Sequence, residues 1–227
     1  MSEALHRLHA AQRVAIDLFD AIEARGLLEP GILESEASRR IHELAGDAFG
    51  GPKWWHRRVV RAGANTVHPY QEHPPDRMIE ADDIVFVDLG PVFEGWEADF
   101  GRTWVLGDDP RKRALRDAVV ELYERGRAFA ADRPELTAAG LHAFVVGTAH
   151  ELGYEFGNYH CGHLVGEFPH GKIPGEKIHS YLHPDNPTPL EGTLDDGTPL
   201  TWILESHLVD QEIDRGGFVE GLLHDPT

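Results

Sequence analysis

Apolar side chains recur at helical spacing in the first part of the chain. Residues 3–25 follow this pattern, and Gly26 comes directly after them as a stop signal. A second helix is predicted from Ser35, in the position of an N-cap, to about Phe49, where a Gly-Gly-Pro sequence breaks the chain. A second pair is predicted in the middle of the chain, from Asp109-Pro110 to about Ala131 and from Thr137 to about Gly153.

Strand patterns flank this second pair of helices. A short strand is predicted over residues 57–62, and residues 85–107 have the pattern of a β-hairpin that turns near Glu94-Gly95. Residues 201–210 and 217–225 have the pattern of a second hairpin. Helix pairs that alternate with hairpins predict an α+β domain, in which each half contributes helices and one hairpin.

One long segment between the hairpins has no clear period. Residues 166–200 are rich in glycine, proline and histidine and predict a long loop. Loops of this length in compact domains are usually functional or disordered. Solvated loop histidines are the simpler interpretation of His179 and His183, and a lid over a site is the alternative.

Composition narrows the classes of protein. The chain has 227 residues, enough for one core or for two closely packed halves, and we expect a single domain over 1–227 with no separate N-terminal domain. No segment reaches the roughly 18 apolar residues of a membrane span, and the start lacks the apolar core of a secretory signal. A single cysteine, Cys161, excludes an intramolecular disulfide and predicts a cytoplasmic location. The net charge of −18 argues against nucleic acid or a membrane surface as partner.

Acidic residues stand among apolar neighbours in both hairpins. Aspartate is depleted from strands, yet Asp88 and Asp99 lie on the two arms of the first hairpin. A turn with an even number of residues places the two aspartates directly or diagonally opposite each other, with Cβ atoms roughly 5–8 Å apart. Such carboxylates repel unless one takes a proton or a cation lies between them. A divalent metal fits best, and the alternative is one exposed aspartate and one turn cap.

The second hairpin carries the same kind of pair. Glu205 and Glu220 both stand within apolar runs, and the sequence CGHLVGEFPHG offers His163 and His170 as imidazoles. A lone histidine in an apolar setting is more often a hydrogen-bonded core residue than a ligand. Four carboxylates elsewhere reverse that preference here and favour a metal site of oxygen and nitrogen ligands.

Taken in order, these residues resemble the ligand set of the pita-bread metallopeptidases, which include methionine aminopeptidase, aminopeptidase P and prolidase. The family order Asp, Asp, His, Glu, Glu falls on Asp88, Asp99, His163, Glu205 and Glu220. The surroundings VDLG, ADFGRTW and GHLVG are similar to the family motifs, His170 follows at the family spacing, and His68 in GANTVHPY matches an upstream histidine. The resemblance implies two pseudo-symmetric αβ halves around a curved antiparallel sheet.

The resemblance also implies a chemistry. Two divalent metal ions, with manganese favoured and iron, cobalt or zinc as alternatives, would be held by these five residues, with Asp99 and Glu220 as bridges. A water between the metals would have a lowered pKa and act as the nucleophile. Glu205 would also move protons, His170 would bind the scissile carbonyl, and His68 would hold the substrate. The function implied is an aminopeptidase or dipeptidase of peptides, with the His68-Pro69-Tyr70 sequence favouring X-Pro bonds.

Some neighbours of the ligands depart from the family pattern. Ser206 replaces a proline after the first glutamate, and Phe218 replaces an arginine or glutamine before the second. Two alternatives therefore stay open: a hydrolase of a specialised non-peptide C–N bond in a small amide-containing substrate, and a non-catalytic peptide-binding scaffold. A homodimer is compatible with the family.

Three further features allow two interpretations each. Arg102 either reaches a ligand carboxylate or lies on the surface of an edge strand, and Cys161 is interpreted as a packing residue rather than a nucleophile. Arg57-Arg58, beside two tryptophans, either marks a subunit contact or begins an exposed strand.

Overall fold

The computed structural model describes residues 3–224. The helices of this range are α1 (Glu3–Ala24), α2 (Glu34–Ala48), α3 (Pro110–Ala130) and α4 (Ala138–Glu151). The strands are β1 (Lys53–Trp54), β2 (Val59–Ala62), β3 (Ile84–Leu89), β4 (Pro91–Phe93), β5 (Trp96–Glu97), β6 (Phe100–Val105), β7 (Glu155–Phe156), β8 (Gly162–Leu164), β9 (Trp202–Asp210) and β10 (Arg215–Leu222). None of the helices in this range is long and apolar enough to cross a membrane.

The helix starts follow from their first residues, with one exception. Asp109 accepts hydrogen bonds from the backbone of α3, and Thr137 accepts one from the backbone of α4, as predicted. The prediction of Ser35 as N-cap is wrong, because Leu33 occupies that position. Asp76, from a distant loop, instead accepts bonds from both the backbone and the hydroxyl of Ser35.

A seven-stranded antiparallel sheet joins the two halves. Its strand order is β2-β3-β6-β10-β9-β7, and β8 pairs with β9 beside β7. The N-terminal half supplies β2, β3 and β6, and the C-terminal half supplies the rest. The α+β prediction with one hairpin from each half is therefore confirmed.

The two halves meet at a narrow seam between β6 and β10. One residue pair, Glu220 with Gly101, forms the ladder between these strands. Beside it, the Thr103 hydroxyl donates to the Phe218 carbonyl at 2.6 Å and accepts from the Phe218 N–H at 2.7 Å. A side chain therefore replaces backbone pairing where the strands separate.

Each half has its own apolar core on the helical face of the sheet. In the N-terminal half, Phe19 of α1 and Ile41 of α2 pack against Val85 and Val87 of β3. In the C-terminal half, α3 and α4 pack against alternate residues of β9. Because side chains of a strand alternate between faces, residues such as Asp88 point to the face opposite the helices.

Two segments differ from the simple elements that the sequence predicts. The first hairpin does turn at Glu94-Gly95, where both residues have positive φ (51° and 87°). Its outer part, however, leaves the large sheet as β4 and β5 and joins β1 in a separate three-stranded sheet. The predicted loop over 166–200 is also packed in part, because Leu182 and Leu190 are buried in the C-terminal core.

Candidate metal centre

Acidic residues from three strands lie in one row across the sheet. Asp88 on β3 pairs with Gly101, Gly101 pairs with Glu220, and Glu220 pairs with Glu205 on β9. Asp99 lies two residues before Gly101 and is therefore diagonal to Asp88, one of the two arrangements that the sequence predicts. The row crosses the seam, so both halves contribute carboxylates to the same place.

Gly101 is the member of the row without a side chain. An added Cβ would lie 2.5 Å from the ring of Phe218 and 3.1 Å from the Cβ of Glu220. The ring of Phe218 also packs against that of Phe86, with centroids 5.2 Å apart. The departure from the family pattern at Phe218 is thus accommodated by the absence of a side chain at the diagonal position, Gly101.

His163 reaches the same carboxylates from β8. Its Nε2 lies 3.0 Å from Asp99 Oδ2, 3.6 Å from Glu205 Oε1 and 3.7 Å from Glu220 Oε1. Its Nδ1 donates to the Leu164 carbonyl at 2.9 Å, which leaves Nε2 as the nitrogen available to a ligand. The five residues predicted as metal ligands are therefore brought together.

The carboxylates are buried and incompletely paired. Asp88, Asp99, Glu205 and Glu220 are between 2% and 6% exposed. Within residues 3–224, the ion-pair partners within 4.0 Å of these four are histidines. Among the described residues, Asp88 Oδ1 and Glu220 Oε2 have no hydrogen-bond partner. Buried unpaired charge is costly, and carboxylate oxygens with an imidazole suit divalent Mn, Fe, Co or Zn, so the residues fit a metal centre.

The pKa values of the metal-free carboxyl groups also favour a site for cations. Burial raises the pKa of Asp88 to about 7 and that of Glu205 to about 8. Burial and the nearby Asp99 raise the pKa of Glu220 well above its ordinary value. Burial also acts on Asp99, but His56 and His163 outweigh it and hold its pKa at about 2. Without metal, the buried carboxyl groups with raised pKa values therefore keep protons that bound cations would displace.

A second imidazole, His56, lies at the aspartate pair and was not predicted. Its Nε2 lies 2.9 Å from Asp99 Oδ1 and 3.6 Å from Asp88 Oδ1. Burial lowers its pKa, but these two aspartates outweigh burial and raise it to about 9. The residue stands between a Trp-Trp and an Arg-Arg sequence, and only its type could have marked it as a candidate.

His170 is held by a buried carboxylate that sequence reasoning also missed. Glu97, 2% exposed, accepts from His170 Nδ1 at 2.7 Å and from the backbone N–H groups of His170 and Gly166 at 3.2 Å. The Trp55 ring meets the rings of His163 and His170 edge to face, with centroids 5.4 and 5.8 Å away. Glu97 thus fixes His170 beside the centre and leaves its Nε2 free.

His68, predicted to hold the substrate, lies on the wall of a cavity that reaches Asp88. Its Nδ1 contacts Glu72 Oε2 at 2.5 Å. It lines a small cavity that also includes Tyr70, Asp88 and Asn158. Among the described residues, no contact joins His68 to the five predicted ligands, so its place is the cavity wall.

Glu205 has two further neighbours that were not predicted. Asn158 donates to its Oε2 at 2.8 Å, and Nδ1 of His160 lies 3.5 Å from its Oε1. Burial and the nearby His163 lower the pKa of His160 to about 3, so its ring is neutral. Glu205 is therefore held through Oε2 by Asn158, while its Oε1 faces the imidazoles of His160 and His163 without a hydrogen bond from His160.

The structure distinguishes between the interpretations that the sequence leaves open for Arg102, Cys161 and Arg57-Arg58. Arg102 points away from the centre and pairs with Asp20 of α1 at 2.8 Å, which is the surface interpretation. Cys161 is fully buried and burial raises the pKa of its thiol, as expected of a packing residue. Arg57 lies over the Tyr70 ring and Arg58 over the Trp54 ring, so both have partners within the chain.

Residues 6–201 match the model of metallopeptidase family M24. The chain belongs to this family. The Xaa-Pro dipeptidase of Lactobacillus delbrueckii subsp. lactis is 31% identical over 121 residues, which cover 49% of this chain and 31% of that protein. The methionine aminopeptidase of Treponema pallidum is 24% identical over 202 residues, which cover 85% of this chain and 74% of that protein.

Solved structures of this M24 family have the same fold. The prolidase from Pyrococcus horikoshii OT3 superposes with a TM-score of 0.74 at 20% identity, covering 98% of this chain and 59% of that one. The X-Pro aminopeptidase from Thermotoga maritima superposes with a TM-score of 0.75 at 18% identity, and the match covers 99% of this chain and 61% of that one. The predicted pita-bread fold is confirmed. The M24 chain described here spans about a third of the length of the dipeptidases it matches and less than two thirds of these solved chains.

Proposed function

We propose that this M24 chain is a metal-dependent peptidase that acts on short peptides at their N-terminal end and uses two divalent cations. The observation that carries the proposal is the row of buried carboxylates. Asp88, Glu220 and Glu205 are aligned across the seam, two of their oxygens lack partners among the described residues, and Nε2 of His163 is directed at Asp99. Nothing about folding requires such a row, because apolar residues would stabilise the seam at lower cost.

The five predicted ligands would divide between two cations. Asp99 contacts imidazoles on both sides, His56 through Oδ1 and His163 through Oδ2, which suits a bridging role. Glu220 lies in the row between Asp88 and Glu205, which suits a second bridge. When bound, the cations supply Lewis acidity that lowers the pKa of a water and polarises a carbonyl.

Glu205 is proposed to move the proton. One of its oxygens is held by the Asn158 amide, which fixes the plane of the carboxyl group. A carboxylate so placed takes a proton from the attacking water and delivers it to the amine that leaves when the C–N bond breaks. The neutral ring of His160 beside it adds no competing charge.

His170 and His68 are proposed to bind the substrate. Glu97 holds His170 through Nδ1, so a ring that carries a proton on each nitrogen would direct its Nε2–H away from Glu97 and could donate it to the scissile carbonyl oxygen as negative charge develops there. His68, on the wall of the cavity that reaches Asp88, would contact the substrate backbone or the leaving group. The dipeptidase relatives and the His68-Pro69-Tyr70 sequence together support X-Pro bonds as the substrate class.

The test is cleavage of defined peptides by metal-stripped and reloaded protein. Ala-Pro, Gly-Pro, an Ala-Pro tripeptide and a Met-Ala tripeptide are incubated with Mn²⁺, Fe²⁺, Co²⁺ or Zn²⁺ and the products are identified by mass spectrometry. We expect metal-dependent cleavage that prefers the proline peptides. Asp99→Asn should abolish it, whereas Asp108→Asn, the same change on a side chain 96% exposed, should not.

Three outcomes would contradict the proposal. Cleavage that survives removal of the metal or the Asp99→Asn change would exclude the proposed centre. Two bound metals without cleavage of any peptide would favour the specialised C–N hydrolase, in keeping with the altered neighbours Ser206 and Phe218. Neither metal nor cleavage would leave a peptide-binding scaffold.

A further inference from the structure

His56 occupies a position at the aspartate pair that mirrors the position of His163 at the glutamates. Its Nε2 lies 2.9 and 3.6 Å from Asp99 Oδ1 and Asp88 Oδ1. The Nε2 of His163 lies 3.0 Å from the other oxygen of Asp99 and 3.6 Å from Glu205. Two ligand atoms each about 2.1 Å from one metal lie about 3.0–3.4 Å apart at angles between square and tetrahedral. Both sets of distances fall close to that range.

The two rings also have the same hydrogen bond behind them. Nδ1 of His56 lies 2.7 Å from the carbonyl of Arg57, the next residue, and Nδ1 of His163 lies 2.9 Å from the carbonyl of Leu164, the next residue. A carbonyl can only accept, so Nδ1 carries the proton in both rings. The lone pair of a neutral ring is then on Nε2, directed at the carboxylates, which is the arrangement of histidines that bind metals.

The place of His56 is built into the surrounding fold. A Cβ added to Gly90 would lie 2.3 Å from its Nε2, so only glycine leaves room for the ring. The rings of Trp55 and Tyr70 meet the ring of His56 edge to face, with centroids 4.6 and 5.6 Å away. The side chain is 10% exposed. His56 is therefore held in one orientation by its neighbours.

We propose that His56 is a sixth protein ligand, binding through Nε2 the divalent cation held by Asp88 and Asp99. His56, Asp88 and Asp99 form one group whose ligand atoms all lie within 4.8 Å of one another, and Asp99, His163 and Glu220 form another. Each cation then has one imidazole ligand and shares the Asp99 carboxylate. A nitrogen ligand at the aspartate side shifts the preference of that side from Mn²⁺ toward Fe²⁺, Co²⁺ or Zn²⁺.

This inference rests on the proposed metal centre, and its test separates the two. Metal-stripped protein is titrated with Co²⁺ alone, and proton NMR counts the strongly shifted, solvent-exchangeable signals of ligand imidazole N–H groups. Wild-type protein should bind two Co²⁺ per chain and give two such signals, from Nδ1–H of His56 and of His163. Both protons are hydrogen-bonded to carbonyls, which slows their exchange with water.

Substitution assigns the signals. His56→Asn keeps a donor near the Nδ1 position but has no atom at Nε2, so it should lose one signal and weaken one Co²⁺ site at least about tenfold. His163→Asn should lose the other signal. The control is His42→Asn, on α2, whose ring nitrogen instead accepts from the Trp54 indole at 3.1 Å. It should keep both signals and both sites.

The outcomes distinguish the two proposals. Two bound Co²⁺ with a single exchangeable signal, lost only in His163→Asn, would overturn the role of His56 and leave the metal centre intact. One bound Co²⁺ with the His163 signal alone would mean that a charged His56 ring occupies the place of the second cation, which also overturns the inference. No bound Co²⁺ would overturn the metal centre itself. If His56→Asn does not fold, the number of wild-type signals decides.

Discussion

The two sides of the metal centre are built by different means. On the glutamate side, Glu205 and Glu220 are directly paired in a hairpin whose ladder runs without interruption from Arg215 to Leu222, and His163 comes from the adjacent strand β8. On the aspartate side, Asp88 and Asp99 are diagonal, and β4 and β5 interrupt the hairpin between them.

The imidazoles show the same difference. His163 is part of the ladder, whereas His56 belongs to the segment between β1 and β2, outside both strands. A regular hairpin places its ligands by strand periodicity alone. An interrupted hairpin depends on a side chain from another segment, here His56. The three-dimensional structure reveals such a side chain, whereas the periodicity of the sequence does not.

The largest effect is expected where the two sides share a residue. Asp99 contacts both imidazoles, so Asp99→Asn should weaken both metal sites and lower kcat/KM at least about a thousandfold, or about 4 kcal/mol of transition-state stabilisation. Asp88→Asn should weaken only the aspartate-side site. Metal content after dialysis, measured beside cleavage, checks both, and two fully retained metals in Asp99→Asn would remove Asp99 as a bridge.

A smaller effect is expected where one side positions a group on the other. Glu97 of β5 holds the His170 ring, so Glu97→Gln should lower kcat about 10–100-fold by misplacing that ring. Metal affinity should not change, because Glu97 contacts none of the five ligands among the described residues.

The control for this change is Glu94→Gln in the neighbouring turn, where the side chain is 87% exposed. Steady-state kinetics and a metal titration on each variant separate the two effects. An unchanged kcat in Glu97→Gln, or an equal loss in Glu94→Gln, would show that Glu97 does not position His170.

The seam between the sides should respond to loss of one hydroxyl. Thr103→Val leaves the buried N–H and carbonyl of Phe218 without their partner, which should lower the free energy of unfolding by about 1–3 kcal/mol. Thr103→Ser keeps the hydroxyl and should lose much less. Denaturant unfolding of metal-free protein measures both, and equal losses would assign the effect to the methyl group instead.

The pH dependence of metal-free stability should follow groups on both sides. Asp88, Glu205 and His56 have folded-state pKa values raised to about 7, 8 and 9, so the folded chain binds more protons than the unfolded chain. Stability should therefore fall as pH rises from 7 to 9, by about 1.4 kcal/mol per pH unit for each proton of difference.

Glu220 and His163, whose pKa values are also raised, act in the same direction in this range. The lowered pKa values of Asp99, His160 and His207 affect stability only below pH 6.5. Thermal unfolding at several pH values checks the slope, with metal-loaded protein as the control. That control should be nearly flat, since bound cations displace the same protons. A stability of the metal-free protein that rises from pH 7 to 9 would contradict the assignment.

The smallest effect is expected outside the centre. Arg102 pairs with Asp20 across the surface, and its side chain is 27% exposed. Arg102→Ala should cost about 0.2–1 kcal/mol of stability, as exposed ion pairs do. It should leave kcat and metal content unchanged. A loss of metal in this variant would restore the alternative in which Arg102 supports a ligand.

Much of the fold could be predicted because its signals are local. Helical periodicity and the caps Asp109 and Thr137 mark α3 and α4, and strand periodicity marks β9 and β10. The cap at Ser35 failed because the group that binds its backbone, Asp76, is far away in the chain. Local patterns carry no information about such a partner.

The residues of the metal centre also differ in whether local sequence signals predict them. Four of the five predicted ligands stand in apolar strands and Asp99 directly precedes one, and a charged or polar residue is conspicuous there. Glu97 lies in the two-residue strand β5 and His56 follows the two-residue strand β1, and strands so short have little periodicity. The burial of both residues therefore depends on tertiary packing that composition does not reveal. The substrate-binding role that the motif match implies for His68 stays a prediction, and its ring contacts Glu72 on the wall of the cavity that reaches Asp88.

The narrow seam between β6 and β10 gives the cations a mechanical role. Only one residue pair and one hydroxyl join the strands there, while the ligands on either side come from segments far apart in the chain. A bound ion is then a reversible cross-link that closes a long loop, and such clips restrict the unfolded chain as a disulfide does. Chelation should therefore lower the stability of the sheet at this seam, while the contacts of Thr66 with Gly216 and His207 still join the two halves.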